Sequence, residues 1–206
     1  LVRERGLGMQ EASEAVASGL VAIRSDLETA EAICEAGRAA TGGVLGVANI
    51  NAPGQIVISG DDPSLEAAAE AARDHGIRRV VRLPVAGGFH SALMASGAER
   101  LQRALEGVTV HAPRFPVISN VTAKPTTDPD TIRANLVAQV TSPVRFTDCV
   151  GAARGLGVET TLEVGPGRVL SGLVRRIVPE ITTVTAEDAE AIRRLGAASA
   201  ETGGAQ

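Results

Sequence analysis

The chain has 206 residues, of which 44% are hydrophobic and 21% charged, a composition typical of a globular protein with one or two domains and a sizeable core. Its net charge of −4 and isoelectric point near 5.5 provide no basic field for nucleic acid or an anionic membrane, and no apolar run approaches the roughly 20 residues of a membrane helix. Two cysteines, Cys34 and Cys149, are too few for a disulfide framework, which favours a reducing compartment and hence the cytoplasm.

The first 85 residues carry clear local signals. LVRERGLGMQEA (residues 1–12) is typical of an amphipathic helix, and no capping residue precedes it, so we expect the natural protein to start further upstream. Strands are then indicated at residues 20–25, 44–51, 55–60 and 78–85, and helices at 27–40 and 63–75. The order β-α-β-β-α-β over residues 19–85 predicts a ferredoxin-like subdomain.

The rest of the chain alternates helices and strands, which predicts part of an α/β layered sheet. The expected elements are a helix at 92–106, a buried strand at 115–122, a polar loop at 124–130, helices at 130–140 and after Pro143, a strand at 159–167, a helix at 168–177 and a strand at 181–186. The small and polar segment 197–206 is predicted to be a disordered tail.

The segment LPVAGGFHSALM (residues 83–94) contains the best candidate for chemistry, His90. It follows a strand end and two glycines, where a side chain can project into a cleft, and a neutral imidazole there could act as a general base. A packed or surface histidine without a role is the alternative interpretation. Ser91 is adjacent and poorly placed as a nucleophile for His90, and no G-x-S-x-G elbow occurs in the chain.

Arg5 is the second candidate, in the segment ERGLGMQ. Its two glycines let a ligand approach the helix, and a guanidinium there could pair with a carboxylate, although a solvated arginine is the alternative. The histidines and cysteines are scattered, so no metal site is indicated. EVGPGRVL lacks both phosphate-loop patterns, which favours a simple strand-to-helix turn.

Four segments, in order, resemble motifs of the malonyl-CoA:acyl-carrier-protein transacylases, the acyltransferases of fatty-acid synthesis. They are RGLGMQEA, NINAPGQIVISG, LPVAGGFHSALM and LEVGPGRVLSGL. The resemblance implies a hydrolase-like α/β core with an inserted ferredoxin-like subdomain. Residues 1–18 would then be a helix of the large subdomain, 19–85 the small subdomain and 86–196 the remainder of the large one.

The resemblance also implies roles for individual residues. His90 would be the base of a Ser-His dyad, and Gln139 would orient it through its backbone carbonyl. Arg5 would bind the malonyl carboxylate, and Asn51 would lie near the acyl pocket. Phe89 would restrict the pocket to malonyl, because in related polyketide acyltransferases Phe before the His accompanies malonyl selection and Ser accompanies methylmalonyl.

One part of the family's pattern is absent from the sequence. The nucleophilic Ser of the family lies in a G-H-S-x-G elbow roughly two dozen residues upstream of the arginine helix, with a G-Q-G segment further upstream. We therefore expect this chain to be an N-terminally truncated fragment that is inactive alone. The complete protein would transfer malonyl in two steps, from coenzyme A to the Ser and then to the carrier's phosphopantetheine thiol.

The implied partners are malonyl-CoA and acyl carrier protein, with no nucleic acid, membrane, metal or cofactor, and the chain would be a monomer. Arg78, Arg79 and Arg82 are candidates for docking an acidic carrier. Three alternatives stay open: an acyltransferase domain of a polyketide synthase, a non-catalytic ferredoxin-like binding module in which His90 is incidental, and a truncated product that misfolds because its sheet edges are open.

Overall fold

The computed structural model describes residues 1–195, which form two compact units, one of residues 1–149 and one that begins at Val150. The helices are α1 (Val2–Ala15), α2 (Leu27–Thr41), α3 (Asp62–Asp74), α4 (Ala95–Glu106), α5 (Pro129–Ala138), α6 (Phe146–Gly155) and α7 (Val169–Ile177), and residues 189–195 are also helical. The strands are β1 (Ser18–Ile23), β2 (Leu45–Ala52), β3 (Gln55–Asp61), β4 (Val80–Arg82), β5 (Val117–Ile118), β6 (Pro125–Thr126), β7 (Thr160–Val164) and β8 (Thr182–Ala186).

The mixed α/β class is confirmed, whereas the division into subdomains at residues 18, 85 and 196 stays a prediction. The tail predicted at 197–206 lies outside the described residues. Within residues 1–195, none of the helices combines the length and the apolar character that a membrane span requires. The cytoplasmic location stays a prediction.

The largest sheet of the described chain has four strands in the order β2-β3-β1-β4, and every neighbouring pair is antiparallel. The element order β-α-β-β-α-β expected for residues 19–85 is therefore present. It forms because its signals are local: Asp26 and Asp61 cap α2 and α3 by accepting the backbone N–H groups of Thr29 and Ser64 at 2.8 and 3.0 Å.

Alternation along the strands buries both faces of this sheet. Val21 and Ile58 belong to a core cluster with Ile33 of α2 on one face. Leu20 and Val57, the residues beside them in the strands, belong to a second cluster on the opposite face. The segment that follows β4 covers this second face, and its residues Leu83 and Phe89 pack there.

Helices α1 and α4 cross at close range in the first unit. A Cβ added at Gly8 would lie 3.0 Å from the Cα of Gly97, so the two backbones are nearly in contact. Arg100 of α4 binds two carboxylates of α1, Glu4 at 2.8 Å and Glu11 at 2.5 Å. These contacts fix where the first turn of α1 lies relative to the segment that leads into α4.

The prediction of a buried strand at residues 115–122 is wrong. Only Val117 and Ile118 pair, with β6, and Phe115 is 72% exposed. The chain turns after Ile118 because Ser119 Oγ accepts the N–H of Val121, and Ala123 donates its N–H to the Ser119 carbonyl. The polar loop expected at 124–130 instead contains β6 and the start of α5.

In the second unit, β7 and β8 pair in parallel, and α7 connects them. The EVGPG segment forms a strand-to-helix turn in which Gly165 and Gly167 have positive φ angles. The carboxylate of Glu163 accepts the N–H groups of Leu170 and Ser171 at 3.0 and 2.7 Å. These bonds satisfy free donors in the first turn of α7, so the motif anchors that helix.

Candidate active site

His90 lies in a constrained turn between β4 and α4. Its φ angle is +60°, a left-handed conformation that only Ala123 shares among the non-glycine residues that the structure describes. Such a conformation costs free energy for a residue with a Cβ and persists only where the surroundings enforce it. Ser91, the next residue, donates its hydroxyl to the Gly88 carbonyl at 2.5 Å and caps the 3-10 turn at Ala92–Met94. Both hydrogen bonds of the Ser91 hydroxyl are therefore made within the turn.

The imidazole of His90 is oriented by a backbone atom. Its Nδ1 lies 2.9 Å from the carbonyl oxygen of Gln139. A carbonyl oxygen can only accept, so Nδ1 carries the proton and Nε2 of the neutral ring keeps its lone pair. A ring in this tautomer can accept a proton at Nε2 and act as a general base.

Gln139 is in turn fixed by several hydrogen bonds. It ends α5, where its N–H donates to the Asn135 carbonyl at 3.0 Å. Its side chain Nε2 donates to the carbonyls of Ser142 at 2.9 Å and Pro143 at 3.4 Å. The carbonyl that faces His90 therefore belongs to a rigid helix end.

Backbone hydrogen bonds join strand β2 to the segment that follows Gln139. Val144 donates its N–H to Ala48 and accepts the N–H of Ile50, each at 2.8 Å. Asn51 follows Ile50 at a break in the register between β2 and β3, where one strand carries an extra residue. Asn51 is half-buried, and within residues 1–195 its side chain makes no hydrogen bond.

Burial is the largest cause that lowers the pKa of His90 below its ordinary value of 6.5. The bonds to the backbone of Gln139 and Ser142 act in the opposite direction, and the positive charge of Arg5 lowers the pKa further. The net direction is downward, so the imidazole is neutral at pH 7. The structure therefore brings Arg5 within electrostatic reach of His90, although 85 positions separate them in the sequence.

Arg5 is half-buried in the first turns of α1, one turn before the buried residue Met9. Among the described residues its guanidinium has no hydrogen bond or ion pair, in contrast to Arg100, which binds two carboxylates. An unpaired guanidinium within electrostatic reach of a neutral imidazole suits a ligand that carries a carboxylate, because it offers two parallel N–H donors.

Phe89 lies between two apolar clusters. It packs against the cluster of Met9 and Met94 and also against the cluster of Leu20 and Val57. Its half-buried ring thus lies beside His90 with packing on two sides. The part that each of these residues takes in catalysis or binding stays a prediction.

One residue that supports the site is not evident in the sequence. The hydroxyl of Ser18 accepts the N–H of Gly88 at 2.9 Å, two residues before His90. A serine at the start of a strand is unremarkable, and its partner lies 70 residues away. No local pattern could have indicated this contact.

Comparison with known proteins places the chain in a family. A family model described as the acyl transferase domain matches residues 9–204. The chain belongs to the acyl transferase family. It is 40% identical over 193 residues to the malonyl CoA-acyl carrier protein transacylase of Bacillus subtilis (strain 168), a match that covers 93% of this chain and 60% of the relative. The corresponding protein of Escherichia coli (strain K12) is 42% identical over 184 residues, with 88% of this chain and 59% of the relative covered.

Solved structures agree with this acyl transferase assignment. The acyl-carrier-protein S-malonyltransferase of Burkholderia pseudomallei 1710b superposes with a TM-score of 0.86 at 36% identity, over 94% of this chain and 63% of the other. A malonyl-transacylase in complex with a type II polyketide synthase acyl-carrier protein superposes with a TM-score of 0.84, also at 36% identity, over 92% of this chain and 61% of the other.

The acyl transferase chain thus spans about 60% of the length of the curated relatives that it matches. The match over nearly all of this chain does not favour the alternative of a non-catalytic ferredoxin-like module.

Proposed function

We propose that this acyl transferase chain carries the histidine half of a malonyl transfer site. The complete site moves malonyl from coenzyme A to the phosphopantetheine thiol of an acyl carrier protein. The observation that carries the proposal is the bond of His90 Nδ1 to the Gln139 carbonyl, with the unpaired Arg5 guanidinium nearby. Together they supply a general base and a carboxylate-binding group.

In the reaction, the thioester of coenzyme A becomes an ester of the serine, and this ester then becomes the thioester of the carrier. A serine hydroxyl attacks the thioester carbonyl while His90 Nε2 takes its proton, and the departing coenzyme A sulfur receives that proton as the C–S bond breaks. The carrier thiol then attacks the acyl-serine, with His90 moving the proton in the opposite direction. No electron is gained or lost, so the two transfers balance with the coenzyme A thioester, the serine hydroxyl and the carrier thiol alone.

In this proposal the nucleophilic serine is that of the family's elbow motif, which the printed sequence does not contain. Within residues 1–195 the partners of the His90 ring are backbone groups of Gln139 and Ser142, and no serine hydroxyl bonds to the ring. The G-H-S-x-G elbow of the family is the proposed source, and Nε2 is the atom left to meet it.

Three side chains give the site its substrate preference in this proposal. Arg5 pairs with the free carboxylate that distinguishes malonyl from acetyl. Phe89 limits the space beside the reacting carbon, where exclusion of one methyl group is worth about 1–3 kcal/mol. Asn51, whose amide is unbonded among the described residues, offers a polar contact to the acyl group.

The carrier is proposed to dock through arginines at the end of the four-stranded sheet. Arg78 and Arg79 are exposed and have no bonded partner among the described residues. Arg82 is already engaged, since it binds Asp62 at 2.6 Å and the Ser18 carbonyl at 3.2 Å. Arg78 and Arg79 are therefore better suited than Arg82 to an acidic carrier.

A chimera tests the proposed function. The preceding segment of the Bacillus subtilis relative, with its own serine elbow, is joined to Leu1, and transfer of malonyl to the carrier thiol is followed by mass spectrometry. We expect transfer in the chimera, a loss of at least about 10³-fold in kcat with His90→Ala, and no change with the exposed control His111→Ala.

Arg5→Gln in the chimera separates substrate recognition from chemistry. We expect it to raise KM for malonyl-CoA and to remove the preference over acetyl-CoA, because the carboxylate loses its partner. A chimera that folds by circular dichroism but transfers no malonyl, or that keeps its rate after His90→Ala, contradicts the proposal.

A further inference from the structure

The turn that carries His90 rests on a buried serine of the neighbouring strand. Ser18, the first residue of β1, is 8% exposed. Its hydroxyl donates to the Val16 carbonyl at 2.9 Å and accepts the Gly88 N–H at 2.9 Å. Its own carbonyl accepts the Arg82 guanidinium at 3.2 Å. Ser18 thus joins the end of α1, the strands of the sheet and the His90 turn.

Both backbone groups of Gly88 are hydrogen-bonded to serine side chains. Its N–H binds Ser18, and its carbonyl accepts the Ser91 hydroxyl at 2.5 Å. A Cβ at Gly88 would lie 3.2 Å from the Cβ of Ser18 and 3.3 Å from the Gly60 carbonyl, so the turn is seated directly on the sheet. His90, with its positive φ angle, lies between Gly88 and Ser91.

We propose that Ser18 is a positioning residue for His90. Its hydroxyl fixes the Gly88 peptide, and the fixed peptide maintains both the left-handed backbone of His90 and the bond of its ring to Gln139. The inference rests on the proposed function only for the meaning of that position in catalysis. The structural link itself is testable in the chain as it stands.

The physical reason is the cost of the His90 conformation. A strained backbone relaxes unless neighbouring bonds oppose it. Removing the Ser18 hydroxyl leaves the buried Gly88 N–H without an acceptor, which costs more than the loss of an average hydrogen bond because that group stays desolvated. Rotation of the Gly88 peptide toward water relieves this cost and moves His90 away from Gln139.

The chain offers a matched control at Ser13. Ser13 is also 8% exposed and lies against the neighbouring glycine, Gly87. Its hydroxyl, however, donates at 2.8 Å to the Met9 carbonyl of its own helix and makes no bond to the turn. Ser13→Ala therefore removes a buried hydroxyl beside the same turn and leaves the Gly88 bond intact.

The experiment is an imidazole ¹⁵N NMR spectrum of histidine-labelled chain, which contains three histidines. For the wild type and Ser13→Ala we expect His90 in the Nδ1–H form alone. For Ser18→Ala we expect a mixture of tautomers and a rise of the His90 pKa toward its ordinary value, because the ring becomes more exposed. Ser18→Thr, which keeps the hydroxyl, should restore the Nδ1–H form.

A second measurement follows hydrogen exchange at the backbone amide of Gly88. In the wild type, hydrogen exchange at Gly88 should be slowed to the level of the β1 amides, and Ser18→Ala should accelerate it by about tenfold or more. Exchange at the rate of a free loop in the wild type overturns the proposal. So does a His90 tautomer that Ser18→Ala leaves unchanged or that Ser13→Ala alters equally.

In the chimera, Ser18→Ala should lower kcat about tenfold and leave KM for malonyl-CoA unchanged. The two proposals can fail separately. If His90→Ala abolishes transfer but Ser18→Ala has no effect on the tautomer, only the role of Ser18 is wrong. If Ser18 controls the tautomer and the folded chimera is inactive, the proposed function is wrong.

Discussion

His90 Nδ1 and the carbonyl oxygen of Gln139 lie 2.9 Å apart, although 49 positions separate the two residues. Because the acceptor is a backbone atom, it orients the imidazole without adding a charge beside it. The Gln139 side chain does not contact His90 in this way, because its Nε2 donates to the Ser142 and Pro143 carbonyls. The carbonyl and the side chain can therefore be tested independently.

Gln139→Ala should leave the orientation of His90 unchanged and weaken the helix end. We expect the Nδ1–H tautomer to persist in ¹⁵N spectra, because alanine supplies the same carbonyl. The free energy of unfolding in urea should fall by about 0.5–1.5 kcal/mol, the usual net contribution of a hydrogen bond. Loss of the tautomer in this variant would show that the side chain, and not the backbone, orients the ring.

Arg5→Gln should raise the pKa of His90. The positive charge of Arg5 disfavours the imidazolium form, so its removal makes the ring easier to protonate. The measurement is an NMR titration of His90. Arg3→Gln is the control, since Arg3 is exposed on α1 and is not among the groups that shift His90. Equal titration of His90 in the wild type and Arg5→Gln contradicts the placement of Arg5.

His90 should also make the stability of the chain depend on pH. Its folded pKa lies below its unfolded value of about 6.5, so the unfolded state binds more protons as the pH falls below that value. Stability is therefore full above the unfolded pKa and is lost as the pH falls from there through the folded pKa. The carboxyl groups with lowered pKa values, such as Asp26 and Asp61, lose their contribution only in more acidic solution.

His90→Asn isolates this effect, because asparagine tolerates a positive φ angle and does not titrate. Urea unfolding between pH 7.5 and 5 should show a smaller loss of stability in His90→Asn than in the wild type. The comparison concerns the slope with pH, since the variant also loses the bond to Gln139. Parallel slopes in the two proteins would mean that His90 titrates alike in the folded and unfolded states.

The parts of the fold that sequence reasoning predicted are those with local causes. The strands and helices from β1 to β4 follow from alternation along Val21 and Ile23 and from caps such as Asp26, all of which act within a few residues. The segment 115–122 has an equally apolar pattern, but whether it becomes a buried strand depends on which other strands flank it. Phe115 and Val117 are exposed because only β6 pairs with this segment in the described chain.

The same distinction between local and long-range causes applies to the residues of the candidate site. His90 and Arg5 were found from residue type and neighbouring glycines, and the structure places them within electrostatic reach of each other. Gln139 could be found only through resemblance, because any residue type supplies a carbonyl. Ser18 was missed because its contact with Gly88 exists only once β1 and the His90 turn are packed together.

The crossing of α1 and α4 sets where Arg5 lies, and two glycines of these helices test that crossing. At Gly97 an added Cβ would lie 3.1 Å from the carbonyl carbon and oxygen of Gly8, which are backbone atoms that cannot rotate away. At Gly6, also in α1, a Cβ would meet nothing within 4 Å. The same substitution should therefore have opposite effects at the two positions.

Gly6→Ala should stabilise the chain by about 0.5–1 kcal/mol, because alanine favours the helix and loses less backbone entropy on folding. Gly97→Ala gains the same helix propensity but separates the two backbones, at a cost of about 1–3 kcal/mol for overpacking. The overpacking cost is the larger, so we expect a net loss near 1 kcal/mol in urea unfolding. Equal stabilisation by both variants would show that α1 and α4 are not in close contact at Gly8 and that the crossing does not fix Arg5.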